Sequence, residues 1–161
     1  TKTSSGWSAD DIVDALNDIF SRFDERARKC GIEKIKTIGD AYMAASGIPT
    51  PRKDHALIMA QFAKGMLDDI EEYNKTARIK FSIRIGMNCG PATAGVIGKT
   101  KFIYDVWGDT VNVASRMEST AEPMKIHVTE RTLSQCHSDC SAFEKVEMEI
   151  KGKGKMSTYY L

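Results

Sequence analysis

Long apolar runs are missing from this chain of 161 residues. None reaches the roughly 18 residues that a membrane-spanning helix needs, so no segment is predicted to cross a bilayer. The opening Thr1-Lys2-Thr3-Ser4-Ser5-Gly6 lacks the apolar core of a secretory signal. Charge imbalance is missing too: 23 Lys and Arg against 22 Asp and Glu leave a net charge of +1. That argues against bulk electrostatic attachment to nucleic acid or to a membrane surface. Cysteine is limited to Cys30, Cys89, Cys136 and Cys140. Cys136-His137 and Cys140 look like half of a metal site, but zinc takes about four ligands and no second Cys/His pair follows at ligand spacing. Free thiols in a reducing cytoplasm are the expectation, with any membrane anchor outside this segment. Linkers, repeats and low-complexity tracts are absent as well. One domain over 1–161, long enough for a real core, is predicted.

What is present reads as alternating helices and strands. Ser8 is a good N-cap, with Asp10 and Asp11 favouring the helix dipole. Ile12, Leu16, Ile19, Phe20 and Phe23 recur at helical spacing, and Gly31 ends the helix. Strands are predicted over 32–38 and 41–47 with Gly39-Asp40 as the turn. Pro49 and Pro51 break the chain before a second helix from about Asp54 to Tyr73. Phe81, Ile83, Ile85 and Met87 alternate with polar or small residues, which predicts a strand over 81–87. Short strands follow at 93–97 and 125–128, then a helix capped by Thr129. Strands at 143–150 and 156–161 flank the turn Lys151-Gly152-Lys153-Gly154-Lys155. The order suggests an α+β sandwich of βαββαβ type with helices on one face of a mixed sheet.

The most informative run is Asp105-Val106-Trp107-Gly108-Asp109-Thr110-Val111-Asn112-Val113-Ala114-Ser115-Arg116. It reads as a strand end, a tight Gly turn and a helix. Asn112 and Arg116 then lie one turn apart on one helix face. A carboxylate to accept from an amine, an amide to orient a sugar and a guanidinium for a phosphate together suit a nucleotide.

With Glu33-Lys34-Ile35-Lys36-Thr37-Ile38-Gly39-Asp40 upstream, this run resembles the catalytic domain of class III nucleotidyl cyclases over nearly the whole chain. The resemblance implies the ferredoxin-like α+β fold of that family. It also implies roles. Lys36 and Asp105 fall at the positions that contact the purine edge. Lysine only donates and ionised aspartate only accepts, which matches the ring nitrogens and amino group of adenine. Guanylyl members typically carry Glu and Cys there, so this pair looks adenylyl. Asp40 falls at a ligand of both Mg²⁺ or Mn²⁺ ions. Asn112 matches the ribose-orienting Asn, and Arg116 the Arg that stabilises charge on the transferring phosphoryl group. Lys151 best matches the lysine for the terminal phosphate. Taken singly, each has a plainer reading: a strand-edge lysine, a turn aspartate, a polar helix stripe, a charged hairpin turn. Their place inside two ordered motifs favours the functional one.

The sequence also departs from the pattern. The family's other metal Asp sits on a first strand, before a Thr that Thr1 resembles, and no residue here matches it. The expectation is a domain lacking its first strand, weakly active or inactive as given. Thr100, between Lys99 and Lys101, stands where some members carry a phosphate Arg, and no role is transferred to it. Gly90 to Gly98 resembles a P-loop only superficially. His55 and His127 look structural.

The resemblance therefore implies an adenylyl cyclase domain converting ATP to cyclic AMP and pyrophosphate with two Mg²⁺ or Mn²⁺ ions. It implies a head-to-tail homodimer with shared sites, behind a sensory or membrane module. Two readings stay open beside it: a guanylyl or dual-specificity cyclase, and a non-catalytic dimerisation or regulatory module.

Overall fold

A computed structural model describes residues 6–100, 103–136 and 144–161. Helix α1 runs Ala9–Cys30. Its start is a reciprocal cap: the Ser8 hydroxyl accepts the Asp11 N–H at 3.1 Å, and the Asp11 carboxylate accepts the Ser8 N–H at 3.1 Å. Gly31 ends it in the left-handed region, at φ 66°. One hairpin follows, β1 (Glu33–Ile38) with β2 (Ala41–Ala45). Its register slips between Lys34 and Lys36, leaving Ile35 as a bulge.

Helix α2 (His55–Thr76) has two buried faces. Phe62, Met66 and Ile70 pack with Ile19, Phe23 and Ala27 of α1. Arg26 staples that pair by donating to both carboxylate oxygens of Asp69, each at 2.6 Å. Ala56, Ala60 and Ala63 face the other way, onto a four-stranded sheet. Its order is β3 (Ile85–Met87), β6 (Ile126–Thr129), β8 (Gly154–Tyr160), β7 (Glu144–Ile150). The β3–β6 pair is parallel and the rest antiparallel, so the sheet is mixed. A second hairpin joins β4 (Thr93–Ile97) to β5 (Ile103–Trp107). Helix α3 is Asp109–Thr120, and α4 is Glu130–Gln135, capped by Thr129 as predicted.

Two expectations need correction. The 81–87 strand shrinks to Ile85–Met87. The Phe81 N–H and C=O are both taken by the Asn74 side chain, at 2.9 and 2.7 Å, so they are not available to a strand ladder. The helices also do not share one face of the sheet. Side chains alternate along a strand: Ile126 and Val128 meet α2, whereas His127 between them meets α3. Gly86, the register partner of His127, is on that second face too. A Cβ there would run into the α3 backbone at Ala114 and Glu118, so glycine is what lets α3 lie this close.

Candidate nucleotide site

The bulge at Ile35 precedes the first site residue, Lys36. Lys36 Nζ reaches across to β5 and donates to Asp105 Oδ2 at 2.5 Å. The other carboxylate oxygen accepts the Val106 N–H at 2.8 Å. Asp105 is only 9% exposed. The Lys36 bond first, and then the Val106 N–H, hold its carboxyl below the usual carboxylate range, against a smaller opposing push from burial. Asp105 is therefore an ionised acceptor at neutral pH, and Lys36 beside it is a donor.

Two residues past Asp105 the chain turns. Gly108 sits at φ 133°, a conformation that side chains rarely adopt. Its carbonyl accepts the N–H groups of Val111 and Asn112, at 3.1 and 3.3 Å, which starts α3. Val113 and Met117 bury one stripe of the helix. Asn112 is exposed and Arg116 half-buried. Neither side chain has a hydrogen bond or ion pair among the described residues.

The lysine turn approaches the head of α3 through Lys153, whose Nζ lies 2.6 Å from Asp109 Oδ2. Lys151 stands exposed at the start of the same turn. Sequence reasoning singled out the turn but not this lysine. Asp40 is exposed at the tip of the β1–β2 hairpin, after Gly39 at φ 60°. The structure thus brings Lys36 and Asp105 into contact and sets Asn112 and Arg116 on the helix that Asp105 leads into. Asp40 and Lys151 are placed on separate turns.

Among the described residues no cluster of three or more His, Cys, Asp or Glu side chains is arranged to hold a metal. Mg²⁺ does not need one, since it is commonly held by one or two carboxylates together with substrate phosphates and water. Asp40, a hard oxygen donor on an exposed turn, fits that partial role. Of the suspected Cys/His fragment, Cys136 is fully buried with its thiol 3.6 Å from the Ala56 carbonyl. His137 and Cys140 lie outside the described residues. Cys30, Cys89 and Cys136 are free thiols. An open concavity of about 670 Å³ lies beside Ala27, Arg28, Ile48 and Arg52, and none of the six site residues lines it.

Sequence reasoning also passed over Asn88 and Thr110, which hold the head of α3. Asn88 Nδ2 donates to the Thr110 carbonyl at 3.1 Å. In the sequence, half-buried polar residues such as these are visible only as polar residues. Their partners depend on which elements meet.

Known proteins share these features. The chain is 41% identical over 161 residues to an adenylate cyclase of Mycobacterium tuberculosis, covering 100% of this chain and 36% of that protein. It is 42% identical over 154 residues to the guanylate cyclase soluble subunit beta-2 of Rattus norvegicus, covering 93% of this chain and 22% of that protein. It thus spans well under half the length of either relative. Among solved structures, the guanylate cyclase domain of RhGC from Catenaria anguillulae, in complex with GTP, superposes with a TM-score of 0.87 at 41% identity. That match covers 98% of this chain and 86% of that one. The sequence profile of the adenylate and guanylate cyclase catalytic domain matches residues 1–161. With the mixed α+β fold and both ordered motifs in place, the chain belongs to the adenylate and guanylate cyclase catalytic domain family.

Proposed function

We propose that this single domain is an adenylyl cyclase, converting ATP to 3′,5′-cyclic AMP and pyrophosphate. The observation that carries the choice of purine is the Lys36–Asp105 contact. One ammonium donor and one ionised acceptor suit adenine, which offers ring-nitrogen acceptors and an amino donor. Guanine presents O6 as an acceptor with N1–H and N2–H as donors, so part of the pattern is inverted. Relatives of both kinds resemble the chain, so this pair bears the decision.

In this reading the ribose 3′-oxygen attacks the α-phosphorus in line. The O3′–P bond forms, the α–β anhydride bond breaks, and pyrophosphate leaves as the 3′-hydroxyl gives up its proton. Asn112 orients the ribose. Arg116, with no competing partner among the described residues, places its guanidinium against the charge on the transferring phosphoryl group. Lys151 takes the terminal phosphate. Asp40 would hold Mg²⁺ or Mn²⁺, two ions per site, which supply Lewis-acid activation of the 3′-hydroxyl and shield the phosphate charge when bound.

A head-to-tail homodimer completes the site, with Asp40 from one protomer and Lys36, Asp105, Asn112, Arg116 and Lys151 from the other. The apolar surface on the β4–β5 hairpin supports it: Val96, Ile97 and Ile103 are 61%, 60% and 48% exposed. Exposed apolar side chains clustered on one hairpin are a common feature of interaction sites. The relatives are much longer than this domain, which supports a reading in which it lies behind a sensory or membrane module and faces the cytoplasm.

The test uses the full-length protein with Mn²⁺ and either ATP or GTP across a range of protein concentrations. Cyclic AMP from ATP, with specific activity rising with concentration, is the expected result. Mainly cyclic GMP overturns the purine assignment and leaves the mechanism. No product from either nucleotide overturns the enzyme reading in favour of a regulatory module.

A further inference from the structure

Because the side chains of Asn112 and Arg116 have no partner among the described residues, their placement is inherited from the backbone of α3. Packing of Val113 and Met117 holds that helix down. Apolar contact is non-directional, though, and resists sliding or rotation weakly. Directional bonds at the head of the helix help set its register: Lys153 holds Asp109, the Pro91 carbonyl accepts the Thr110 hydroxyl, and Asn88 holds the Thr110 carbonyl.

Asn88 follows Met87, the last residue of β3, and is half-buried. Its Oδ1 accepts from the Thr129 hydroxyl at 2.7 Å. Thr129 Oγ1 is 2.9 Å from Thr132 Oγ1. The Thr132 oxygen accepts the Cys89 N–H at 2.9 Å. Thr129 and Thr132 are 3% and 0% exposed, so water does not substitute for these partners. The donor inventory allows one direction for the chain. Cys89 N–H donates to Thr132, Thr132 O–H to Thr129, and Thr129 O–H to Asn88 Oδ1. That leaves the Asn88 amide nitrogen facing the Thr110 carbonyl at 3.1 Å. Bonds aligned in this way polarise one another. Thr110 is anchored a second time, its hydroxyl donating to the Pro91 carbonyl at 2.6 Å. Thr110 precedes Asn112 by two residues and Arg116 by six.

We propose that Asn88 is a positioning residue for the cyclase reaction, fixing the first turn of α3 so that Asn112 and Arg116 meet the substrate. The assignment rests on the cyclase reading. Asn88 touches no substrate itself. Lys36 and Asp105 stand on β1 and β5, to which Asn88 makes no hydrogen bond among the described residues, so purine choice is expected not to depend on it.

The test compares three variants of the full-length protein, with Mn²⁺ and ATP or GTP. Asn88→Leu removes both bonds. Asn88→Asp keeps the acceptor for Thr129 but points a carboxylate at the Thr110 carbonyl. Thr129→Val breaks the chain while leaving the Asn88 donor. Asn88→Leu and Asn88→Asp are expected to lower kcat by about 10- to 100-fold, the cost of a misplaced reacting group. KM should stay within about 3-fold, and the ATP-to-GTP selectivity ratio should not change. Thr129→Val should fall between wild type and the Asn88 variants. Backbone amides over 110–116 should exchange faster with deuterium in the Asn88 variants, while those of α1 keep their protection. Full kcat in a folded Asn88→Leu protein overturns the proposal, as does a loss that tracks weakened protection of α1. If the wild-type protein makes no cyclic nucleotide, the cyclase reading fails on its own. Hydrogen exchange over 110–116 then decides separately whether Asn88 holds α3, and unchanged exchange overturns it.

Discussion

Lys36 and Asp105 satisfy each other in the structure, and that mutual satisfaction shapes what they can recognise. Asp105 has one oxygen on Lys36 and the other on the Val106 N–H. In the proposed reading, a purine uses remaining lone pairs on Asp105 and remaining protons on Lys36 rather than displacing a solvated ion. Such a preset pair discriminates well, because a base with the wrong pattern leaves buried groups unpaired. Replacing Lys36→Glu together with Asp105→Cys substitutes an acceptor for the donor and a weak donor for the acceptor. The double variant is expected to shift preference from ATP towards GTP, by about 100-fold or more in the ratio of kcat/KM values. Either single change should depress ATP turnover without creating good GTP use, since each leaves one mismatched partner. The measurement is kcat/KM for both nucleotides in all four proteins. An unchanged ratio in the double variant would mean the purine is read elsewhere.

At the scale of elements, α3 carries two of the proposed site residues, Asn112 and Arg116, and its far end rests on His127. This ring is fully buried, stacked on Tyr160 with centroids 4.7 Å apart. Its Nδ1 is 3.0 Å from the Met117 carbonyl, and its Nε2 is 2.8 Å from the Thr158 hydroxyl. It thereby ties α3 to β6 and β8. Burial pushes its pKa below the usual histidine value, opposed in part by the Met117 carbonyl. Lys125 lies over the Tyr160 ring, its Nζ 4.9 Å from the ring centroid. A histidine kept neutral in the fold but free to protonate when unfolded adds stability above the unfolded pKa of about 6.5. That stability is lost as the pH falls through this value towards the lowered folded one. The urea midpoint is expected to drop between about pH 7.5 and 5.5, and His127→Asn should flatten the slope. His55 and His137 remain in both proteins, so the difference reports His127. Equal slopes would show that the ring titrates alike in both states. How much of this architecture was legible in advance follows from what is local. Ser8 and Gly31 announce α1 because a cap needs only neighbours in sequence. The Asp105 to Arg116 run shows its strand, turn and helix for the same reason. The 81–84 segment misled, because Asn74 claims the backbone of Phe81 from seven residues away. Lys153 and Asn88 were not singled out, because their partners come from elements distant in sequence that only the fold brings near.

The whole molecule raises a question that no single residue answers: how candidate site residues spread over separate turns and a helix surface work together. The concavity beside Arg28 and Ile48 contains none of the six site residues. Asp40 and the α3 pair sit on exposed turns and helix surface, and the apolar side chains of the β4–β5 hairpin stand in solvent. Two copies related by a two-fold axis would cover the apolar surface and close the site at once, since each supplies what the other exposes. This arrangement makes a quantitative forecast. Asp40→Ala spoils the metal-holding half of a protomer, and Arg116→Ala spoils the half that meets the transferring phosphoryl group. Each variant alone should be nearly inactive, because both sites of its homodimer carry the same defect. In a heterodimer, one site pairs the intact Asp40 of one protomer with the intact Arg116 of the other, and the second site carries both defects. Mixed in equal amounts and allowed to exchange, half of the dimers are heterodimers with one working site in two, so about one quarter of wild-type activity should return. Cyclic nucleotide formation in the mixture, set against each variant alone, reads this out. Absence of recovery, with exchange verified by mass, would place Asp40 and Arg116 in the same half-site and overturn the shared arrangement.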